Sequence, residues 1–128
     1  MTKHIVRTEE APAPFQGAPY SQAVAAGGLL FVSGQLGLQP GATEMVPGGI
    51  AEQTEQVMKN LQAILDAAGS SLDRLVKTTV YLQRLEDFAA MNEVYARFVG
   101  GDPPARATIE VAKLPSGALV EIEAIALL

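Results

Sequence analysis

The sequence predicts an α+β fold in which one sheet packs against one layer of helices, and three observations predict it. The hydrophobic period switches between two and about 3.6 in the order strands, helix, strand, helix, two strands. Glycine and proline clusters fall between those runs. The chain has 128 residues, 48% hydrophobic and 18% charged, which suits one globular domain over 1–128 with an affordable core.

Taken in order, Ala11-Pro12-Ala13-Pro14 reads as an irregular entry. Residues 22–26 and 29–34 are strand runs separated by Gly27-Gly28, a tight turn. Residues 39–49 hold Pro40, Gly41, Pro47, Gly48 and Gly49, so they form a loop with room for one brief strand. Residues 50–68 are the clearest helix: Val57, Leu61, Ile64, Leu65 and Ala68 recur at helical spacing, with Glu52, Gln53, Gln56, Lys59 and Asn60 mostly opposite. Gly69 supplies its stop.

From Leu75 the period becomes two, with Val76, Thr78, Val80 and Leu82 on one face and Lys77, Thr79 and Tyr81 on the other. A second helix spans about 85–99, carries Phe88, Met91, Asn92, Tyr95 and Val99 on one stripe, and ends at Gly100-Gly101. After Pro103-Pro104 a strand sets Ala105, Ala107, Ile109 and Val111 against Arg106, Thr108 and Glu110. Pro115-Ser116-Gly117 makes a turn, and a last strand follows over about 119–127. There Val120, Ile122, Ala124 and Ala126 alternate with Glu121, Glu123, Ile125 and Leu127. Two faces with apolar content predict one against the helices and one partly against another subunit.

Composition narrows the chemistry. The chain has no cysteine, so thiol nucleophiles, disulfides and cysteine-ligated metals are excluded. Its single histidine, His4, leaves no metal site and no histidine-based catalytic pair to expect. The net charge is −5 and the nine basic residues are scattered, which argues against nucleic acid as a partner. The apolar runs at 23–32 and 120–128 are too short to span a membrane as helices, and no secretion signal precedes them. A cytoplasmic location is the expectation.

Several residues could act on a small ligand. Arg106 offers a planar fork for a carboxylate, though spacing alone favours a surface arginine beside an acid. Glu121, between apolar neighbours, could hold a raised pKa and handle a proton, or be a solvated strand glutamate. Asn92 braces a loop or lines a pocket. Ser33-Gly34 permits close backbone approach or simply turns the chain, and Tyr20 packs or donates a hydrogen bond. If 115–117 closes a simple hairpin, Glu121 faces about Val111, and Arg106 lies roughly 17 Å from it at the usual rise per residue. In that case the two could share a ligand only if another subunit supplied one of them.

Pro104-Ala105-Arg106-Ala107-Thr108-Ile109-Glu110-Val111-Ala112-Lys113-Leu114, then five residues, then Val120-Glu121-Ile122, resembles the signature of the YjgF/RidA family, the reactive-intermediate deaminases. The resemblance extends to Ala18-Pro19-Tyr20-Ser21-Gln22-Ala23, Leu30-Phe31-Val32-Ser33-Gly34-Gln35, the first helix and Met91-Asn92-Glu93-Val94-Tyr95. It implies a chorismate-mutase-like α+β fold, a mixed sheet on two helices, assembled as a homotrimer with a central barrel and clefts between subunits. It also implies hydrolysis of 2-imino acids, such as 2-iminobutanoate and 2-iminopropanoate, to 2-keto acids and ammonia without a cofactor. Arg106 would bind the carboxylate and Glu121 would position the attacking water, with Tyr20, Ser33, Gly34, Asn92 and Thr108 lining the substrate site. Thr108 departs from the cysteine that many of these deaminases carry. The resemblance leaves two other roles: a trimeric 2-keto acid binding protein without turnover, and a ribonuclease or translation inhibitor.

Overall fold

The computed structural model describes residues 2–128. Six strands, β1 (His4–Val6), β2 (Ala23–Ala26), β3 (Leu29–Gln35), β4 (Leu75–Leu82), β5 (Ala105–Glu110) and β6 (Val120–Leu127), form one sheet in the order β1-β2-β3-β6-β4-β5. Helices α1 (Ile50–Ala67) and α2 (Phe88–Val99) form the second layer. All strand pairs are antiparallel except β4–β5, so the sheet is mixed and the α+β expectation holds. Gly27 and Gly28 both take positive φ, 60° and 79°, the backbone that a two-residue hairpin turn requires. The short edge strand β1 has no alternating run long enough to signal it, and the brief strand allowed for in 39–49 does not form.

The core lies between the helices and one sheet face. Leu30, Val80, Leu82, Val120, Ile122 and Ala126 from the sheet meet Val57, Leu61, Ile64, Leu65 and Met91 from the helices, all fully buried. On the other face Phe31, Ile109 and Leu127 stay exposed among Lys77, Thr79, Glu121 and Glu123. The predicted division of β6 into two partly apolar faces is therefore present.

Three details differ from the sequence reading. The 115–117 turn does not close a β5–β6 hairpin. Helix α2 is a crossover that returns β5 parallel to β4 at the sheet edge, while β6 inserts between β3 and β4. The connection passes over the end of β4, where Val111 N–H donates to the Leu82 carbonyl and Gln83 N–H to the Leu119 carbonyl, each at 3.0 Å. Val76 does not join Thr78, Val80 and Leu82. The register shifts between Leu75 and Lys77, so Leu75 takes the core face and Val76 is exposed.

The third difference concerns α1, whose Gln53 and Asn60 are buried, not solvated. The chain after β3 runs along the helix, and its backbone needs partners there. Asn60 Nδ2 donates to the carbonyls of Leu36 and Leu38 at 3.1 and 2.8 Å, and Gln56 Nε2 donates to Asn60 Oδ1 at 2.9 Å. Leu119 N–H donates to Gln53 Oε1 at 2.8 Å. Gly37 permits this contact, because a Cβ there would fall 2.9 Å from Gln53 Cβ and 3.0 Å from its Cα. Replacing Asn60 by Leu strands two buried carbonyls and is expected to cost about 3 kcal/mol. Urea unfolding at fixed protein concentration reads this as a lower midpoint with an unchanged slope.

Candidate active site

The candidate residues form two groups. The first is built where β3 ends. A register shift between Val32 and Gln35 lifts Ser33 and Gly34 out of regular pairing with β6. Glu121 lies over Gly34: a Cβ at that position would come 2.8 Å from Glu121 Cδ, so any other residue there would displace the carboxylate from this position. Ser33 Oγ donates to the Ser21 carbonyl at 2.6 Å, committing its proton and leaving its lone pairs free. Phe15 N–H donates to the Tyr20 hydroxyl at 2.5 Å, which leaves the phenolic proton available. Tyr20, Phe15 and Gly34 border one small cleft. Gln22 fastens the adjoining N-terminal segment, accepting from Thr8 N–H at 2.8 Å and donating to the carbonyls of Thr8, Ala11 and Pro12.

Glu121 is half-buried, and its carboxyl is held above the ordinary 4.5 first by burial and then by the neighbouring Glu123 charge. Across the strand pair sits Tyr81, whose phenol is also pushed up, by burial first and then by Glu123. Both shifts oppose negative charge at this patch.

The second group is Arg106, Thr108 and Asn92. Arg106 is the register partner of Thr78, and Thr108 of Val80, so both share the face of β4 that looks toward the helices. The Arg106 guanidinium lies 4.9 Å from the Tyr95 ring centroid and 5.5 Å from that of Phe88. Among the described residues no carboxylate comes within ion-pair distance of it, and its side chain makes no hydrogen bond. The paired surface arginine that spacing allowed is thus not what forms. Asn92 lies on the same α2 stripe, between Phe88 and Tyr95. Its Oδ1 and the Thr108 Oγ1 are buried without a hydrogen-bond partner among the described residues. The Asn92 carbonyl oxygen therefore braces no loop.

The two groups do not meet within one chain. Thr78 pairs with Arg106 and Tyr81 with Glu121, and positions three apart on a strand point to opposite faces. Sequence reasoning named both groups but missed Phe88 and Tyr95 as partners of Arg106. Their helical spacing with Asn92 was visible, but it reads as core packing until the partner strand is known.

The family model described as endoribonuclease L-PSP matches residues 8–128. A RutC family protein of Pyrococcus horikoshii is 52% identical over 124 residues, covering 97% of each chain. A Mus musculus protein named 2-iminobutanoate/2-iminopropanoate deaminase is 47% identical over 124 residues, covering 97% of this chain and 90% of the relative. The crystal structure of E. coli TdcF with bound serine matches with a TM-score of 0.90 at 38% identity, covering 98% of both chains. With the match running from residue 8 to the last residue, and relatives at this identity along at least 90% of their length, the chain belongs to the YjgF/RidA family.

Proposed function

We propose that this protein hydrolyses 2-imino acids to 2-keto acids and ammonia, in clefts where the Arg106 group of one subunit faces the Glu121 group of the next in a homotrimer. The observation that carries this reading is Arg106: a half-buried guanidinium set on two aromatic rings, with no acid to neutralise it among the described residues. Its N–H fork suits a ligand carboxylate, which accepts two parallel hydrogen bonds. The named activity of the Mus musculus relative and the serine bound to E. coli TdcF, an α-amino acid with a carboxylate, support that ligand class.

The chemistry follows from the groups available. With the carboxylate clamped, the imine carbon is presented to a water that Glu121 orients and deprotonates. Hydroxide adds to the carbon, the electrons of the C=N bond pass to nitrogen, and Glu121 hands the water's proton to that nitrogen, giving the carbinolamine. Glu121, ionised again, takes the hydroxyl proton and delivers it to nitrogen as the C–N bond breaks, leaving the hydroxyl oxygen as the keto carbonyl. The imine plus one water gives the keto acid plus one ammonia. The Tyr20 hydroxyl can donate to the substrate, Ser33 Oγ can accept from an imine or amine N–H, and Asn92 Oδ1 and Thr108 Oγ1 offer two unspent polar atoms beside Arg106.

The family model's description raises RNA cleavage as a second reading. The net charge of −5 and a lone, exposed histidine in the short strand β1 give it neither a phosphate-binding face nor an acid–base pair.

An amino-acid oxidase generating the imine in situ tests the proposal. Wild type is expected to accelerate keto-acid release. Arg106→Ala is expected to lose at least about a hundredfold in kcat/KM, the scale of a charge-assisted bidentate pair. Full activity in Arg106→Ala contradicts the assignment.

The pH dependence has a definite sign. Glu121 works as a base only when ionised, so kcat/KM is expected to fall as pH drops, with an inflection above 4.5. Glu123→Gln removes the second cause of the shift and is expected to move that inflection down. The folded state holds this proton more tightly than the unfolded chain, so ionising Glu121 weakens folding as pH rises through its pKa. Glu121→Gln is therefore expected to raise the melting temperature at pH 7 relative to wild type, and much less at pH 4.

A further inference from the structure

One polar side chain of β4, Thr78, stands in the sheet core. The inward row of β4 reads Leu75, Thr78, Val80, Leu82, and Thr78 is fully buried. Valine has nearly the same shape and would carry no hydroxyl to satisfy. The Thr78 Oγ1 lies 2.7 Å from the Tyr95 hydroxyl, itself on a residue only 5% exposed, and this is its side-chain hydrogen bond. Thr78 is also the register partner of Arg106 in the parallel β4–β5 pair. The same phenol whose hydroxyl is tied to Thr78 presents its ring to the Arg106 guanidinium at 4.9 Å.

We propose that Thr78 and Tyr95 are positioning residues: their buried hydroxyl pair locks the Tyr95 ring as the platform that aims the Arg106 fork at its ligand. A ring held only by packing can tilt or slide along α2. A ring whose hydroxyl is fixed on β4, one strand from Arg106, moves with the hydrogen-bonded β4–β5 pair that carries the arginine. Phe88, 5.5 Å from the guanidinium and 41% exposed, completes the stack on its solvent side. The rings take up the face of the guanidinium, so its N–H edge remains for a carboxylate. The catalytic consequence rests on the imine-deaminase reading; the aiming of Arg106 does not.

The experiment therefore has two readouts on wild type, Tyr95→Phe, Thr78→Val and the double variant. The first is the Arg106 Nε–H resonance, identified by its loss in Arg106→Lys. It is expected to be ring-current shifted and rigid in wild type, and mobile and shifted toward free arginine in all three variants. The second is imine hydrolysis. Each single variant is expected to raise KM about tenfold with kcat changed less than about threefold, the pattern of lost ground-state binding. The double variant is expected to show that same rise in KM, because both changes remove one restraint. Its melting temperature should recover relative to the singles, since no orphaned hydroxyl remains. Recovery of KM together with stability, or an unchanged Nε–H resonance in the variants, overturns the proposal. A loosened resonance in a protein whose wild type hydrolyses no imine upholds the platform and sinks the deaminase reading instead.

Discussion

Strand alternation around β4 is the constraint on which the rest depends. Thr78 is paired with Arg106 on one side and Ala124 on the other, while Tyr81 is paired with Glu121. Side chains three positions apart point to opposite faces, so the arginine looks toward α2 and the glutamate toward the open face. No change of side-chain torsion brings them to one small molecule. A register slip of one residue would exchange the faces and bury Glu121 and Glu123 in the core, so the separation is as secure as the fold itself.

The fold spends its polar groups to keep each cluster where it is. Asn60 and Gln53 lie inside α1's buried face because the chain leaving Gly34 and the chain entering β6 both run along that helix. Through Leu119 and residues 36–38, one helix thus sets the two backbones that carry Glu121 and Gly34. On the far side of β4, Thr78 and Tyr95 do the corresponding work for Arg106. Each of these amides and hydroxyls is expensive to bury unpaired, and each has its partner. Of the four unpartnered buried side-chain atoms among the described residues, two, Asn92 Oδ1 and Thr108 Oγ1, share the arginine's face, where a ligand would meet them; the other two are Thr54 Oγ1 and Asp87 Oδ2.

Much of this was legible in the residues. The helix expected over 50–68, the hairpin at Gly27-Gly28 and the strand expected over about 119–127 were readable from spacing and turn chemistry, each helix or strand bound within one residue of the structure. The order of strands did not, because sequence neighbours such as β5 and β6 suggest a hairpin that the α2 crossover rules out. Glutamine and asparagine on α1 read as solvated, since nothing local signals that a loop will lie over them. For Arg106 the motif indicated a ligand-binding arginine, while its aromatic seat required knowing that β5 runs parallel to β4. The roughly 17 Å gap expected from a hairpin gave way to a stronger separation by the sheet itself, and this supports the same proposal of a reactive site assembled from two copies.

Subunit complementation tests that claim most directly. Arg106→Ala and Glu121→Gln proteins, each purified and assayed alone, are mixed, dissociated and reassembled together before the imine assay. If one cleft draws Arg106 and Glu121 from different chains, random mixing in a closed three-membered ring leaves about a quarter of the clefts intact, and activity should return to about a quarter of wild type. Activity that stays at the level of the separate variants, in trimers verified to be mixed, contradicts the account.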